Sequence, residues 1–365
     1  MINRLLDLAI QIQQIPAPTF DEKQRAEFVR GLFVKEKLSD VSMDSLNNVY
    51  GRWTVDRGRR ADTKPLIVSA HLDTVFPLNT SLHVTREEDR IYGPGIGDNS
   101  LGVAALFGLL WMLRERKINL AGDIWFVANI CEEGLGDLRG MRAVTDRFGA
   151  NVQAYLVLEG TALGHVYHRA VGVRRYRVIA RTAGGHSWSD YGQPSAVHEL
   201  ARLVTQITAL PLPTQPRTTL NVGLISGGTG VNVLASEATF ELDLRSESME
   251  TLNSLIAQVE EKIVAANRNG VTVQMDVIGQ RPAGEISVDH PLVKLAEQCL
   301  TAQEIKAVLT SGSTDANIPL SRGLPAIVLG ITTGGGAHTV HEYINVEPVS
   351  SGMEQLVEFV SRVWV

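Results

Sequence analysis

The chain has 365 residues, more than one core of ordinary size uses, so two domains are expected. A formal net charge of -6 excludes the broad basic face that phosphate binding needs, so no nucleic-acid partner is expected. Two cysteines, Cys131 and Cys299, cannot build a disulfide framework, which fits a reducing compartment and a cytoplasmic location.

The period of the apolar residues predicts the elements in chain order. Leu5, Leu6, Leu8, Ala9, Ile12 and Ile15 fit an amphipathic helix that stops at Pro16 and is neither a leader nor an anchor. No uncharged apolar run of membrane-spanning length is read, so no membrane partner is expected. Ala26, Phe28, Val29, Leu32 and Phe33 fit a second helix. Then follow a strand at 66–70, a helix at 101–115, a strand at 124–130, a helix near 138–148 and a strand at 155–158. Near-continuous apolar strands separated by helices predict an α/β fold: a mostly parallel sheet with helices on both faces.

The pattern changes after Glu159. A more alternating strand at 172–181 leads to a helix at 194–209, strands at 218–226 and 237–245, a helix at 249–267 and a strand at 271–278. That order, β-α-β-β-α-β, is the ferredoxin-like α+β unit. The first pattern then resumes with a helix at 291–302, short strands at 306–309 and 326–329, and a helix at 348–362. A small domain over 169–280 is therefore read as inserted into a large one made of 1–168 and 281–365.

Acids and imidazoles stand just after the apolar runs of the large domain. His71 and Asp73 follow Leu66–Ala70, and Asp98 closes the glycine-rich stretch from Gly93. Glu132 and Glu133 follow Ile124–Cys131, Glu159 follows Tyr155–Leu158, and His338 follows the turn after Ala326–Leu329. Singly, each has a plainer reading: a hydrogen-bonded histidine, a solvated Glu-Glu pair, an Asp-Asn turn. Jointly they lie where open parallel sheets bind ligands, outside the carboxyl ends of the strands. Buried charges need partners, and a pair of divalent metal ions would satisfy all of them. The expected chemistry is two-metal hydrolysis, which needs ligands for each ion, a shared ligand and a base for the water. Imidazole and carboxylate suit zinc. Asp73, two residues from His71, is expected to orient that imidazole. Glu132 and Glu133 are adjacent, so one is expected as ligand and the other as general base.

The segments His71-Leu72-Asp73-Thr74-Val75, Gly93 to Asn99, Glu132-Glu133-Gly134, Leu158-Glu159-Gly160 and Ala337 to Glu342 resemble the motifs of a co-catalytic metallopeptidase family. That family includes glutamate carboxypeptidase, peptidase T, acetylornithine deacetylase and succinyl-diaminopimelate desuccinylase. Ser100-Leu101, where many members have Lys-Gly, looks more like the peptidase T-like members. The resemblance implies a di-zinc exopeptidase-like fold in which the inserted domain is a lid and dimerisation domain. It implies that His71 and Glu159 bind one zinc, Glu133 and His338 the other, and Asp98 both, with a cis Asp98–Asn99 peptide. Glu132 would be the general base, Asp73 the orienter of His71, and His341 at most an outer residue. Cobalt or manganese could replace zinc.

By the same resemblance His186, in Gly184-Gly185-His186-Ser187, reaches the active site of a partner subunit in a homodimer and stabilises the oxyanion. Asn232, Arg245, Gly312 and Thr314 match positions that face substrate, and Arg245 would bind a carboxylate. A strand-end salt bridge for Arg245 and a structural turn for Gly312, Thr314 and Asp315 are the alternatives. The implied function is cleavage of an amide bond in small peptides by a hydroxide bridging two zinc ions. The alternatives are removal of an acyl group from an N-acyl amino acid, and a catalytically silent metal-binding dimer.

Overall fold

The structure, a computed structural model, describes residues 1–55 and 63–364. They separate into two compact units, Met1–Ala170 with Glu285–Val365, and Val171–Gly284.

The first unit is built on a nine-stranded sheet. Its centre is Ile124–Asn129, Leu66–His71, Ala154–Glu159 and Ala326–Gly330, side by side and parallel. Every residue of Leu66–His71 and of Ala326–Gly330 is buried. That two-sided burial explains why these strands read as near-continuous apolar runs. The helix Gly102–Glu115 packs on Leu66–His71 and against the helices Ile2–Gln13 and Val349–Arg362. It is buried at every position from Gly102 to Leu113. With the turn before it, Ile96–Glu115 is long and apolar enough by length and composition to cross a bilayer, although Asp98, Arg114 and Glu115 interrupt it with charge. Its apolarity is spent inside the fold, since nearly all of that segment is covered by protein.

Besides the two-residue Gly284–Glu285, three strands of this sheet escape the periodicity. Ser39–Met43 and Val49–Trp53 form an antiparallel pair that adds to the edge beside Ile124–Asn129. The first is only partly covered along its length, so it carries little apolar pattern. His165–Ala170 alternates buried and uncovered positions, and its uncovered residues include His165 and Arg169. It pairs parallel with Val308–Gly312 and antiparallel with Ala326–Gly330. Because this strand belongs to the large sheet, the first unit extends to Ala170.

The second unit has a four-stranded antiparallel sheet in the order Thr218–Gly227, Glu237–Ser246, Gly172–Arg181, Thr272–Arg281. The helices Ala196–Thr208 and Met249–Ala265 pack on this sheet and on each other. The two-residue alternation is explicit in Glu237–Ser246, where Ala238, Phe240, Leu242 and Leu244 are buried. Its other positions face the arginines of Gly172–Arg181. Arg175 pairs with Asp243 at 2.8 Å, Arg177 with Glu241 at 2.8 Å and Arg181 with Glu237 at 2.8 Å, each with its direct cross-strand partner. The local basic run is thus half of a ladder of ion pairs. Arg177→Glu would set like charges opposite each other and lower stability by up to about 1 kcal/mol. Thermal unfolding at low and high salt checks this: the loss should shrink with salt, and an unchanged midpoint at low salt contradicts it.

Candidate active site

The parallel register brings strand ends together. His71 closes Leu66–His71 opposite Asn129, and Glu159 closes Ala154–Glu159 opposite Gly330. Glu132 and Glu133 lie just past the end of Ile124–Asn129. Asp98 comes from the irregular turn Ile96–Leu101, in which the Asp98–Asn99 peptide is cis. His338 lies in the loop after Ala326–Gly330.

Asp98 is the centre of the arrangement. Its Oδ1 lies 3.1 Å from His71 Nε2 and its Oδ2 lies 3.1 Å from His338 Nε2. A second acid stands beside each ring: Glu159 Oε2 at 3.8 Å from His71 Nε2, and Glu133 Oε1 at 3.2 Å from His338 Nε2. The structure therefore brings together His71, Asp98, Glu133, Glu159 and His338. Glu132 is buried next to Glu133 in the chain. His341 is exposed and its backbone N–H donates to Thr339 Oγ1.

The charges strain against burial. Burial disfavours the ionised Asp98, yet hydrogen bonds from His338 and His71 hold its carboxyl well below the usual range. Hydrogen bonds to Asp98 and then Glu133 push the His338 imidazole up to about 10. Burial drives Glu159 well above the ordinary carboxyl range, relieved in part by His71 and reinforced by Asp98, Glu132 and Asp315. The acids outnumber the imidazoles, and the polar atoms converge on shared points. His71, Asp98 and Glu133 each offer an atom within 4.8 Å of the others. Two imidazole nitrogens and surplus carboxylate oxygens are the donor set of a divalent transition-metal centre.

The tautomer of His71 supports that fit. His71 Nδ1 stands 3.0 Å from the backbone carbonyl of Asp73, which accepts its N–H, and Nε2 faces Asp98 and Glu159. The Asp73 carboxylate lies farther from the ring, at 3.5 Å. It also accepts from the backbone N–H groups of Glu132 and Glu133, each at 2.9 Å, and from Thr19 Oγ1 at 2.9 Å. Asp73 thus steers His71 through its main chain and the two glutamates through its side chain.

Glu342, which closes the segment Ala337 to Glu342, had no assigned role in the sequence. It accepts from the backbone N–H groups of Gly95, Gly97 and Asp98, each at 2.8 Å. It is almost fully buried, and burial pushes its carboxyl up to about 7 although those N–H groups pull it down. Asn99 donates to Leu158 O and accepts from Gly160 N–H, so the Asp98 turn is tied to the Glu159 strand end. The contact is close enough that a Cβ on Gly160 would stand 1.9 Å from Gly97 O. Asp315, fully buried, accepts from Asn129 Nδ2 at 2.7 Å. Gly312 lies against the Tyr167 ring, and Thr314 caps the turn before Asn317 through its N–H and Oγ1.

The remaining predicted residues belong to the second unit. His186 lies on the short pair Gly185–His186 with Val233–Leu234, exposed. Its Nδ1 accepts from the backbone N–H groups of Trp188 at 3.2 Å and Ser189 at 3.3 Å. The proton of the neutral ring is therefore on Nε2, which points out as a donor. Asn232 is exposed beside it, and its carbonyl accepts from Ser187 N–H at 3.0 Å. Arg245 Nε donates to Asp243 at 2.6 Å, the strand-face ion pair that was the plainer reading.

A mostly parallel sheet with such a cluster beyond its strand ends is the architecture of a metal-assisted hydrolase. A profile of Peptidase family M20/M25/M40 matches residues 67–362. A peptidase M20 domain-containing protein of Schizosaccharomyces pombe is 32% identical over 233 residues, 62% of this chain. The chain spans 55% of the length of that relative. A tripeptidase from Staphylococcus aureus has a similar fold, with a TM-score of 0.85 at 21% identity, over 100% of this chain and 99% of that one. The Bacillus subtilis YXEP protein, a dinuclear metal binding peptidase, gives a TM-score of 0.69 at 14% identity over 99% and 97%. The chain belongs to Peptidase family M20/M25/M40 and is a hydrolytic enzyme.

Glu342→Ala would strand three buried N–H groups and loosen the Asp98 turn. Affinity for added zinc, by titration calorimetry, should fall about 10–100-fold while the protein stays folded. Unchanged affinity would show that Glu342 does not support Asp98.

Proposed function

We propose that this enzyme is a metal-dependent exopeptidase that cleaves an amide bond of small peptides, with Glu132 as general base. One observation carries the reading: Asp98 turns one carboxylate oxygen to each of two imidazoles, and each imidazole has its own second acid. The groups fall into two overlapping sets, His71 with Glu159 and His338 with Glu133, sharing Asp98. The dinuclear metal binding peptidase YXEP supports a metal in each set, and the tripeptidase supports a peptide substrate. Zinc suits the donors, with cobalt or manganese as substitutes. When bound, the ions supply a Lewis acid for the scissile carbonyl and lower the pKa of the attacking water.

The chain's own groups do the rest. Glu132 takes the proton of the attacking water and passes it to the leaving amine. Asp73 holds the backbone of Glu132 and Glu133, so that base and ligand keep separate directions. The exposed Nε2–H of His186 donates to the oxyanion of the tetrahedral intermediate in the site of a partner subunit. The inserted unit is the dimer-forming part in this reading. Trp188 and Tyr191, 86% and 89% exposed on the His186 turn, give that surface an apolar character. Asn232 would contact the substrate carbonyl and Arg245, steadied by Asp243, a substrate carboxylate; Gly312 and Thr314 would line the substrate side of the large unit.

Two experiments test this. Glu132→Gln should keep its metal content and lose at least about 100-fold in kcat on di- and tripeptides. Retained hydrolysis removes Glu132 from the role of base, and release of an acyl acid rather than amino acids would move the substrate to N-acyl amino acids. Heterodimers of His186→Ala and Glu132→Gln chains, purified through two different tags, should regain activity that neither parent has. A heterodimer as inactive as its parents contradicts action of His186 across subunits.

A further inference from the structure

Glu132 and Glu133 leave the strand Ile124–Asn129 through a sharp change of backbone direction, which sets where the pair points. The change occurs at Cys131, whose φ of +55° is left-handed, an uncommon state for a residue with a side chain. Three successive N–H groups follow the strand end here, and all three are captured by buried carboxylates. Asp73 takes those of Glu132 and Glu133. Glu22 takes that of Cys131, with Oε1 at 3.2 Å, and also accepts from Cys131 Sγ at 3.4 Å and from Phe20 N–H at 3.0 Å.

Glu22 comes from far away in the chain and is 2% exposed. It stands directly before the helix Lys23–Lys35 but makes no side-chain cap there. A buried carboxylate at a helix start that ignores the helix amides is not explained by the helix. Its segment is fastened to the His71 loop instead. Thr19 N–H donates to Thr74 O, Thr74 N–H donates to Ala17 O, and Thr19 Oγ1 donates to Asp73. Arg25, fully buried one turn further on, donates to Leu72 O at 2.7 Å and to Ile15 O. Segment 15–25 is thus a strap that holds the chain behind both His71 and the two glutamates.

We propose that Glu22 is a positioning residue for Glu132: by holding the Cys131 N–H and thiol it keeps the left-handed turn that aims the base at the substrate. The inference rests on Glu132 being the base. Glu22 does not touch substrate, so its loss should misaim a group that acts in the transition state and leave substrate binding alone.

The test compares three variants in the full-length, metal-loaded enzyme. Glu22→Leu removes the acceptor, Glu22→Asp keeps the charge but withdraws it by one methylene, and Glu22→Gln keeps a carbonyl oxygen in place. On a di- or tripeptide, Glu22→Leu should lower kcat at least about tenfold, since a misplacement of about 1 Å at a catalytic group costs that much or more. Glu22→Asp should lose less, and Glu22→Gln should return close to the parent. KM and metal content should be unchanged in all three. If Glu22→Leu does not fold, the order of Gln above Asp decides. A parent-like kcat in Glu22→Asp and any folded Glu22→Leu, a Gln variant no better than Asp, or a change confined to KM or metal content overturns the proposal. Failure of the base assignment shows elsewhere, as an active Glu132→Gln enzyme.

Discussion

Asp98 offers one oxygen to each of two imidazoles, and most of the large unit serves to keep it there. The carboxylate is half-buried, and its neighbours Glu133 and Glu159 add more charge of the same sign. Such a cluster would fly apart in a soft scaffold. Here each ligand-bearing segment is pinned by backbone hydrogen bonds to a second buried polar side chain. Glu342 pins the Asp98 turn, Asn99 pins that turn to the Glu159 strand end, and Asp73 pins the Glu132–Glu133 turn. The apolar sheet supplies the rigidity, and these side chains convert it into directions for the acids.

The same logic divides what was legible in the sequence from what was not. Leu66–His71 and Ala326–Gly330 were readable because burial on both faces leaves them almost wholly apolar. His71, Glu133 and Glu159 were singled out for the same reason, each standing just after an apolar run, whereas Asp98 and His338 were marked by the glycine-rich segments before them. His165–Ala170 was not, because its histidines and Arg169 mask a strand whose buried positions are only Val166, His168 and Ala170. Glu22 and Glu342 were not readable as site residues either. Their partners are main-chain N–H groups of Cys131, Gly95, Gly97 and Asp98, which carry no identity in a sequence and lie far from them in it. Asp73 was half readable: its carboxylate stands beside the His71 ring as expected, but its hold on the backbone of the two glutamates was not expected.

The second unit follows a different economy. Its sheet is covered by helices on one face and stitched by cross-strand ion pairs on the other, so Arg175, Arg177 and Arg181 stand there with their charges paired. Apolar side chains are also exposed around His186, where Trp188 and Tyr191 stand on the turn whose amides set the imidazole tautomer. Rigid donor and exposed aromatics on one turn are what a surface needs if it is to be completed by something else.

The central claim is that Asp98 is shared between two metal sites. The direct measurement is anomalous diffraction above the zinc absorption edge from crystals grown with zinc. The account predicts two peaks in each chain, one contacted by His71 and Glu159, the other by His338 and Glu133, with an oxygen of Asp98 at each. A single peak, or peaks that leave Asp98 out, would contradict it.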